Sequence, residues 1–316
     1  GNLRGLHLPY ALASGHLGDL GQPQHLAYAG GRLPRHAPRN VPYHRSWRGA
    51  KPMSLHATTD ARLLGAANSL ATARSQRRPG PLVSKTFFLA SLDEAYQVQT
   101  AAMHQTLAQG SHLSGVKAGL TSAALRAALK VEEPLYGWLF ADTACLSGEI
   151  VAWERLLQPK VEIELALVLS HDLPATEIDQ QQLLSSIAGV VPALEINGSA
   201  FADGQLTLLD AVADNLSSGL YVLGDQRVPV AQLPKTPLLA SLNKNGQQLL
   251  LDTPIELENC LATGLWLANK MASLGQPLRA GAVLLTGALA PAFEISRGDQ
   301  LSFQVVGLGA VMCSFC

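Results

Sequence analysis

The sequence predicts an α+β fold, in which a helical N-terminal part precedes a group of strands that form a mostly antiparallel sheet or roll. Apolar residues recur at helical spacing before Gly115, strand-like apolar runs follow one another after it, and only two firm helices interrupt those runs. Strands that cluster together with few helices between them are typical of α+β proteins rather than of alternating α/β proteins.

Two helices are predicted before Gly110. The first has one apolar face over residues 63–70, and the sequence Gln-Arg-Arg-Pro-Gly at 76–80 ends it. The second begins near Ser91, because Glu94 three residues later completes the pattern of a capping box. Its apolar residues then repeat at helical spacing up to Gly110.

The later part of the chain is predicted to be strand and turn, with two helices at 180–188 and 262–274. The sequence shows no internal repeat and no glycine-rich phosphate loop. Five strands are predicted, at 162–169, 189–196, 219–223, 283–286 and 301–306.

Composition excludes several kinds of partner. The chain has 316 residues, of which 47% are hydrophobic and 15% charged, and its net charge is −1. This balance gives no reason to expect nucleic acid or a membrane surface as partner, and no apolar run approaches the roughly 18 to 20 residues of a membrane helix. Few cysteines and no export signal favour the cytoplasm. A single CxxC pair, Cys313 and Cys316, is a weak zinc signal, so ordinary thiols are the favoured interpretation.

The composition changes sharply near residue 53. Residues 1–52 are rich in Gly, Pro, His and Arg, and they hold five of the nine histidines. We expect 1–52 to be an extension that is disordered or not native to the domain, with a basic interaction arm as the alternative. Residues 53–316 are expected to form a single catalytic domain, whose helical part is 53–114.

Two carboxylates lie on one face of a predicted strand. Side chains alternate along a strand, so Glu162 and Glu164 share a face that becomes apolar two residues later. A cation between them would relieve their repulsion and lost hydration, whereas the simpler alternative is a solvated strand end. Glu195 lies in an otherwise apolar strand and also needs a partner. If the two strands are neighbours, the three carboxylates form a hard oxygen site suited to Mg²⁺ or Mn²⁺.

Three further segments carry polar residues that chemistry could use. Lys117 lies between small residues in Gly-Val-Lys-Ala-Gly, where it is either a surface charge or a group that holds a substrate carboxylate or donates a proton. Asp142 follows an aromatic segment, and Asn215 follows Asp214; each is either turn chemistry or part of a site. Because no histidine occurs after His171 and no nucleophile elbow is present, Ser-His-Asp and Cys-His catalysis are disfavoured.

Taken together, these segments resemble the family of 2-oxopent-4-enoate (2-hydroxypentadienoate) hydratases and 4-oxalocrotonate decarboxylases, which belongs to the fumarylacetoacetase-type superfamily. Single pieces are weak, but their order and spacing are specific from about Leu63 to Phe315. The segments that carry the resemblance are 95–99, 115–122, 134–137, 139–142, 158–164, 192–195, 212–215, 266–271 and 284–288.

The resemblance implies a mixed β-roll that carries short helices, and it implies roles for particular residues. The metal ligands are expected to be Glu162, Glu164 and Glu195. The catalytic residues are expected to be Lys117, Asp142 as acid–base group, and Asn215, with Leu120, Phe140 and Thr286 binding substrate.

The function implied is a metal-dependent hydratase of aromatic catabolism, which adds water to a 2-hydroxy-2,4-dienoate and yields a 4-hydroxy-2-oxo acid. The alternatives are a 4-oxalocrotonate-type decarboxylase and a non-catalytic partner subunit of such an enzyme. A homo-oligomer is expected by family analogy, and a complex with a related decarboxylase, hydratase or aldolase is a further expectation.

The sequence departs from the family in three places. Ala200 follows Ser199 where the family has an arginine, and Leu-Leu-Leu-Asp-Thr-Pro at 249–254 replaces a glycine-rich His-Pro loop. After Gly287, the sequence Ala-Pro-Ala at 290–292 replaces a Pro-Gly region. These departures leave the expected fold intact and put the identity of the substrate in question.

Overall fold

The computed structural model describes residues 7–9, 58–202, 205–235 and 237–316. The expected boundary at residue 53 lies outside these ranges, and so does the extension 1–52, apart from one short strand at His7–Pro9.

Fifteen strands and seven α-helices make up the described chain. The helices are α1 Ala61–Gln76, α2 Val83–Thr86, α3 Leu92–Ala108, α4 Ala123–Leu129, α5 Gln180–Ser186, α6 Leu208–Ala213 and α7 Leu257–Ser273. The strands are β1 His7–Pro9, β2 Leu113–Gly119, β3 Leu135–Phe140, β4 Ala144–Leu146, β5 Glu149–Val151, β6 Pro159–Leu169, β7 Ile187–Gly198, β8 Gln205–Thr207, β9 Leu220–Leu223, β10 Leu238–Lys244, β11 Gln247–Ile255, β12 Val283–Leu285, β13 Phe293–Glu294, β14 Gln300–Val305 and β15 Gly309–Phe315.

The two predicted N-terminal helices correspond to α1 and α3. Asp60 caps α1 by accepting a hydrogen bond from the backbone of Arg62 at 2.8 Å. Ser91 caps α3 as predicted, but the Glu94 carboxylate accepts from the backbone N–H of Ala90 at 2.6 Å. No helix in the part of the chain described is long and apolar enough to span a membrane.

The strands form two large sheets, and a short pair joins β1 to β8. The larger sheet has eight strands in the order β3-β2-β12-β6-β7-β9-β4, with β13 paired to β6; the smaller has the order β11-β10-β14-β15-β5. Most pairs are antiparallel as predicted, whereas β2–β12, β4–β9 and β5–β15 are parallel. The sheets are therefore mixed, as the expected roll requires.

The eight-stranded sheet curls around a small interior. The Tyr221 hydroxyl on β9 donates to the Ser114 hydroxyl on β2 at 2.9 Å, although these strands are four places apart in the sheet. Strands about 4.8 Å apart in a flat sheet could not be joined by two side chains across that distance. This bond therefore requires the sheet to curl, and it encloses a small apolar cluster that includes Ala166 and Leu285.

Two larger cores flank this interior. The main core lies on the other face of β6, where Ile163, Leu165 and Leu167 pack with α7 and the five-stranded sheet. The second core is formed mainly by α1, α3 and α6. Gln99 of α3 joins it to the sheet, because its amide donates to the carbonyl of Tyr136 at 3.2 Å. The fold is α+β, as the sequence predicts.

Candidate metal centre

Register between β6 and β7 assembles the three predicted carboxylates. Glu162 lies directly opposite Glu195, and Glu164 is opposite Ala193. Because side chains two residues apart share a face, all three carboxylates point to the interior of the roll. Ligand oxygens of the three lie within 4.8 Å of one another, and the residues are 7%, 0% and 0% exposed in chain order.

These carboxylates lack the partners that buried charges need. Glu164 accepts one hydrogen bond, from the backbone N–H of Gly287 at 2.8 Å. Its Oε1 atom, and Oε2 of Glu195, are buried without a hydrogen-bond partner among the described residues. Burial raises the pKa of Glu164 well above its usual range, and the charges of Glu195 and Glu162 add to this. Two orphaned buried oxygens in an all-carboxylate cluster fit a hard divalent cation.

Lys117 lies beside the carboxylates and neutralises part of their charge. Its side chain is an ion-pair partner of Glu195 and donates to Oδ1 of Asn197 and to the carbonyl of Leu216, each at 3.2 Å. Burial raises the pKa of Glu195 to about 7, and the charge of Lys117 opposes that rise. Lys117 is 3% exposed, so the alternative that it is a surface charge is excluded.

Asn215 acts on the backbone of the neighbouring strand. Its amide accepts from the N–H of Trp138 at 2.7 Å and donates to the carbonyl of the same residue at 2.9 Å. It therefore satisfies the open edge of β3, which borders the sheet. One N–H of the amide and one lone pair of its oxygen make these bonds, so Asn215 fixes β3 beside Lys117, and its catalytic role stays a prediction.

The predicted acid–base group lies elsewhere. The β2–β3 register pairs Lys117 with Gly137 and Leu113 with Phe140. Asp142 comes after Phe140, beyond the end of β2 that is farther from Lys117, where it is exposed and accepts from Ser111. The carboxylates lie toward the opposite end of β2. Leu285 of β12 pairs with Lys117 on one side and with Ala166 of β6 on the other. Because β6 runs antiparallel to β12, Glu164 lies farther along, toward Gly119. The structure thus separates Asp142 and Phe140 from the carboxylates.

The other two predicted substrate-binding residues lie at the correct end of the roll, with side chains engaged in the fold. Leu120 packs into the helical core. The Thr286 hydroxyl donates to the carbonyl of Leu165 at 2.8 Å. Cys260 of α7 approaches Thr286 and Glu164, and burial raises the pKa of its thiol to about 11. In the segment 284–288, the group that contacts the carboxylate cluster is the backbone N–H of Gly287, which donates to Glu164.

Sequence reasoning missed Asn197, the Leu216 carbonyl and the Gly287 N–H. Asn197 had an available signal, because it lies two residues after Glu195 and so on the same face of the strand. Backbone groups carry no signal in a residue pattern. The CxxC pair assembles no metal site: Cys313 is buried, Cys316 is exposed, and neither belongs to the ligand cluster found among the described residues.

Comparison with known proteins identifies the family of this chain. The profile of the fumarylacetoacetate (FAA) hydrolase C-terminal family matches residues 104–315. The chain belongs to the fumarylacetoacetate hydrolase family. It is 40% identical over 229 residues to the 2-keto-4-pentenoate hydratase 1 of Dechloromonas aromatica (strain RCB), covering 72% of this chain and 87% of that relative. It is also 37% identical to the 2-keto-4-pentenoate hydratase of Paraburkholderia xenovorans (strain LB400), covering 79% of this chain and 93% of the relative.

Solved structures of this family show the same fold. The 4-oxalocrotonate decarboxylase of Pseudomonas putida G7, complexed with magnesium and adipate, superposes with a TM-score of 0.74 at 26% identity. That similarity covers 82% of this chain and 99% of the decarboxylase. A second structure of that decarboxylase, complexed with calcium and acetate, has a TM-score of 0.73 at 27% identity, covering 82% of this chain and 99% of that one. The family resemblance and the fold that it implies are therefore confirmed.

Proposed function

We propose that this chain is a metal-dependent hydratase, a hydro-lyase that adds water to a 2-hydroxy-2,4-dienoate, or its 2-oxo-4-enoate tautomer, to give a 4-hydroxy-2-oxo acid. The observation that carries the proposal is the buried cluster of Glu162, Glu164 and Glu195, with Lys117 beside it. Relatives at 37–40% identity that are named 2-keto-4-pentenoate hydratases support the reaction class and its place in aromatic catabolism.

Mg²⁺ or Mn²⁺ is the cation we propose for the cluster. The three glutamates would hold it, and Oε1 of Glu164 and Oε2 of Glu195 are the oxygens that lack another partner. Both ions prefer oxygen ligands and keep open positions for water and substrate. When bound, such a cation polarises the 2-oxo group of a substrate whose carboxylate lies next to it.

Lys117 supplies the charge for the substrate head group. Its ammonium has three donors, and Glu195, Asn197 and the Leu216 carbonyl accept them here. A substrate carboxylate is a stronger acceptor than an amide or a backbone carbonyl, so it would replace one of the neutral partners. Lys117 then binds and orients the substrate, while the apolar interior around Ala166 and Leu285 limits access of bulk water.

Two alternatives share this site. A decarboxylase of the 4-oxalocrotonate type would need the same polarised 2-oxo group, so the carboxylate cluster serves either reaction. A non-catalytic partner is suggested by the departures from the family. Ala200 is fully buried with its N–H bonded to Asp214, and residues 249–254 lie in β11, an edge strand that exposes 61% of Leu251. The structure thus places 249–254 in a sheet edge, where the family has a glycine-rich loop.

The deciding experiment offers the purified chain 2-hydroxypenta-2,4-dienoate, with Mg²⁺, Mn²⁺ or a chelator, and follows its ultraviolet absorbance. Metal-dependent loss of absorbance with formation of a product heavier by one water supports the hydratase. Release of carbon dioxide from the carboxylated relative of this substrate, without hydration, supports the decarboxylase. Bound metal with neither reaction supports the partner. Glu164→Gln is the control, and turnover that survives it unchanged would overturn the proposed site.

A further inference from the structure

We infer that Arg74 is a positioning residue of the site, which acts through Asp214 and Gly198 on two of the groups that hold Lys117. Arg74 lies on α1, in the helical part of the chain, and it touches none of the three carboxylates. The inference rests on the proposed function only for the role of Lys117 in binding substrate. The structural relationship between Arg74 and Lys117 is independent of that role.

The backbone that presents the Leu216 carbonyl to Lys117 is strained. Asn215, Leu216 and Ser217 have φ values of 54°, 53° and 55°, in the left-handed region. A left-handed conformation costs an L-residue roughly 1 to 2 kcal/mol, and it is seldom adopted by three residues in succession. Such a turn persists only when its surroundings fix it. We call residues 215–217 the left-handed turn.

Arg74 fixes the residue that directly precedes this turn. Its Nε and Nη2 atoms donate to Oδ1 of Asp214 at 3.0 and 2.6 Å, and Nη2 also approaches the backbone carbonyl of Asp214 at 3.4 Å. Oδ2 of Asp214 accepts from the backbone N–H of Ala200 at 3.0 Å. Burial raises the pKa of Asp214, and the charge and hydrogen bonds of Arg74 oppose that rise, so Arg74 favours the ionised form of this buried carboxylate.

The same guanidinium holds a second segment. Nη2 of Arg74 donates to the carbonyl of Gly198 at 3.0 Å, and Gly198 directly follows Asn197 on β7. Lys117 donates to Asn197 and to the Leu216 carbonyl. Arg74 therefore anchors the backbone next to both neutral acceptors of Lys117. Without Arg74, the strained turn would relax, and Glu195 would be the one acceptor that still holds Lys117.

Close packing makes the turn and Lys117 respond together. The Leu216 side chain lies against Gly119, where an added Cβ would meet its Cδ1 atom at 2.9 Å. At Gly137, an added Cβ would meet Oδ1 of Asn215 at 3.0 Å and Cγ of Lys117 at 3.1 Å. The turn and the stem of the lysine therefore both pack against Gly137, so displacement of the turn would alter the packing around the lysine.

Arg62 provides a matched control for an arginine that merely attaches α1. It lies on the same helix, pairs with Glu94 at 2.6 Å, and its side chain is 33% exposed against 32% for Arg74. Arg62 also donates to the carbonyl of Phe87 at 2.9 Å, away from the turn. Removing Arg74 leaves a buried carboxylate and should cost more stability than removing Arg62, whose partner is partly exposed, so each variant is assayed well below its own melting temperature. Only Arg74 is connected to Lys117.

The test compares Arg74→Gln, Arg74→Lys and Arg62→Gln in the full-length chain, well below each melting temperature. Acetylation of Lys117 by N-hydroxysuccinimidyl acetate is timed by peptide mass mapping, with Lys270 as internal reference. We expect Arg74→Gln to raise the rate at Lys117 by about fivefold or more, because the local structure opens more often. Arg74→Lys should give a smaller rise, and Arg62→Gln should leave the rate unchanged.

Equal rates in Arg74→Gln and Arg62→Gln would overturn the inference. If Arg74→Gln does not fold, Arg74→Lys decides by the same comparison. The labelling needs no turnover, so an inactive wild type would refute the proposed function while leaving this test intact. In an active enzyme, Arg74→Gln should raise KM about tenfold, and Arg62→Gln should stay within about twofold.

Discussion

Glu162 and Glu195 lie directly opposite each other on β6 and β7, buried in the interior of the roll. Like charges in directly opposed positions destabilise a sheet, and burial removes the water that would screen them. Lys117 pairs with Glu195, whereas Glu162 and Glu164 have no ion-pair partner among the described residues. The metal-free cluster therefore lowers the stability of the fold, and a divalent cation should recover it.

The first prediction is that Mg²⁺ stabilises the protein through Glu164. A ligand at a hundred times its Kd adds about 2.7 kcal/mol, which raises Tm by about 5 to 10 °C in a chain of this size. Glu164→Gln should abolish most of this shift, without lowering Tm in a chelator, because it removes a repelling charge. Thermal scans with and without Mg²⁺ measure both effects. The control Glu154→Gln changes an exposed residue paired with Arg297 and should retain the shift. A full shift in Glu164→Gln would contradict the ligand assignment.

The second prediction concerns pH. The folded pKa of Glu195, about 7, lies above its ordinary value of 4.5, because burial favours the protonated form. The stabilisation that comes from protonating Glu195 in the folded state is therefore fully present below about pH 4.5. It declines as pH rises toward 7 and is lost above that. The metal-free protein should lose Tm across this window, and the shift induced by Mg²⁺ should grow across it. Scans from pH 4.5 to 8 in a chelator and in Mg²⁺ test this, and Glu195→Gln should reduce the slope of both profiles, leaving the part that Glu164 contributes. A Tm that rises with pH in the chelator, in wild type only, would contradict the assignment.

The third prediction is that Lys117→Ala impairs substrate binding. Its ammonium is the cation nearest the carboxylates in the described part of the chain, and the proposed function gives it the substrate head group. KM should rise at least as much as kcat falls, since most of the lost interaction is made in the ground state as well. Lys244→Ala, which breaks a contact with Asp299 on the five-stranded sheet, should leave both constants unchanged. An unchanged KM in Lys117→Ala would assign the head group to other residues.

Local patterns predicted the three clustered carboxylates better than they predicted the residues around them. Strand periodicity placed Glu162 and Glu164 on one face, and a lone acid in an apolar strand marked Glu195. That the strands are neighbours depends on a register which no local pattern contains, and only the family resemblance supplied it. Arg74 carried no signal at all, because its partner Asp214 lies 140 residues away along the chain.

The helices and strands were likewise predicted where their signal is local, and not where they depend on contacts between distant segments. The cap at Ser91 and apolar periodicity predicted α3, and apolar periodicity alone predicted α1, whose cap at Asp60 was not predicted. The parallel pairs β2–β12 and β4–β9 join segments that are far apart in sequence, and closing such long loops leaves no mark on either strand. The curl of the sheet, shown by the bond between Tyr221 and Ser114, likewise arises from tertiary contacts.

The fourth prediction concerns the amide of Asn215. Asn215→Asp keeps the size of the side chain but places a carboxylate oxygen against the Trp138 carbonyl, in place of the donor that bonds it at 2.9 Å. Losing this bond at a half-buried position should cost about 1 to 3 kcal/mol and loosen the left-handed turn. Urea unfolding measures the first effect, and the Lys117 acetylation rate measures the second. Asn245→Asp, in a hairpin of the five-stranded sheet, is a control that should leave the Lys117 rate unchanged. Wild-type stability in Asn215→Asp would show that the hydrogen bonds between Asn215 and the backbone of Trp138 contribute little.

The last prediction concerns Asp142, for which the resemblance implies proton transfer. Asp142 is exposed, its carboxylate accepts from the Ser111 hydroxyl, and the strand register places it at the end of the roll away from Glu164. A general acid or base must come within hydrogen-bond reach of the proton it moves, directly or through one water. From this position, we expect Asp142 not to reach a substrate held by Lys117. We therefore expect Asp142→Asn to keep kcat within about threefold of wild type across the pH range, measured with saturating dienoate and Mg²⁺. Ser111→Ala should behave in the same way. A loss of about 10² to 10⁴ in kcat with unchanged metal binding, the usual effect of removing a general acid–base group, would instead restore the implied role. It would also require the chain around residues 140–143 to approach the carboxylates during turnover.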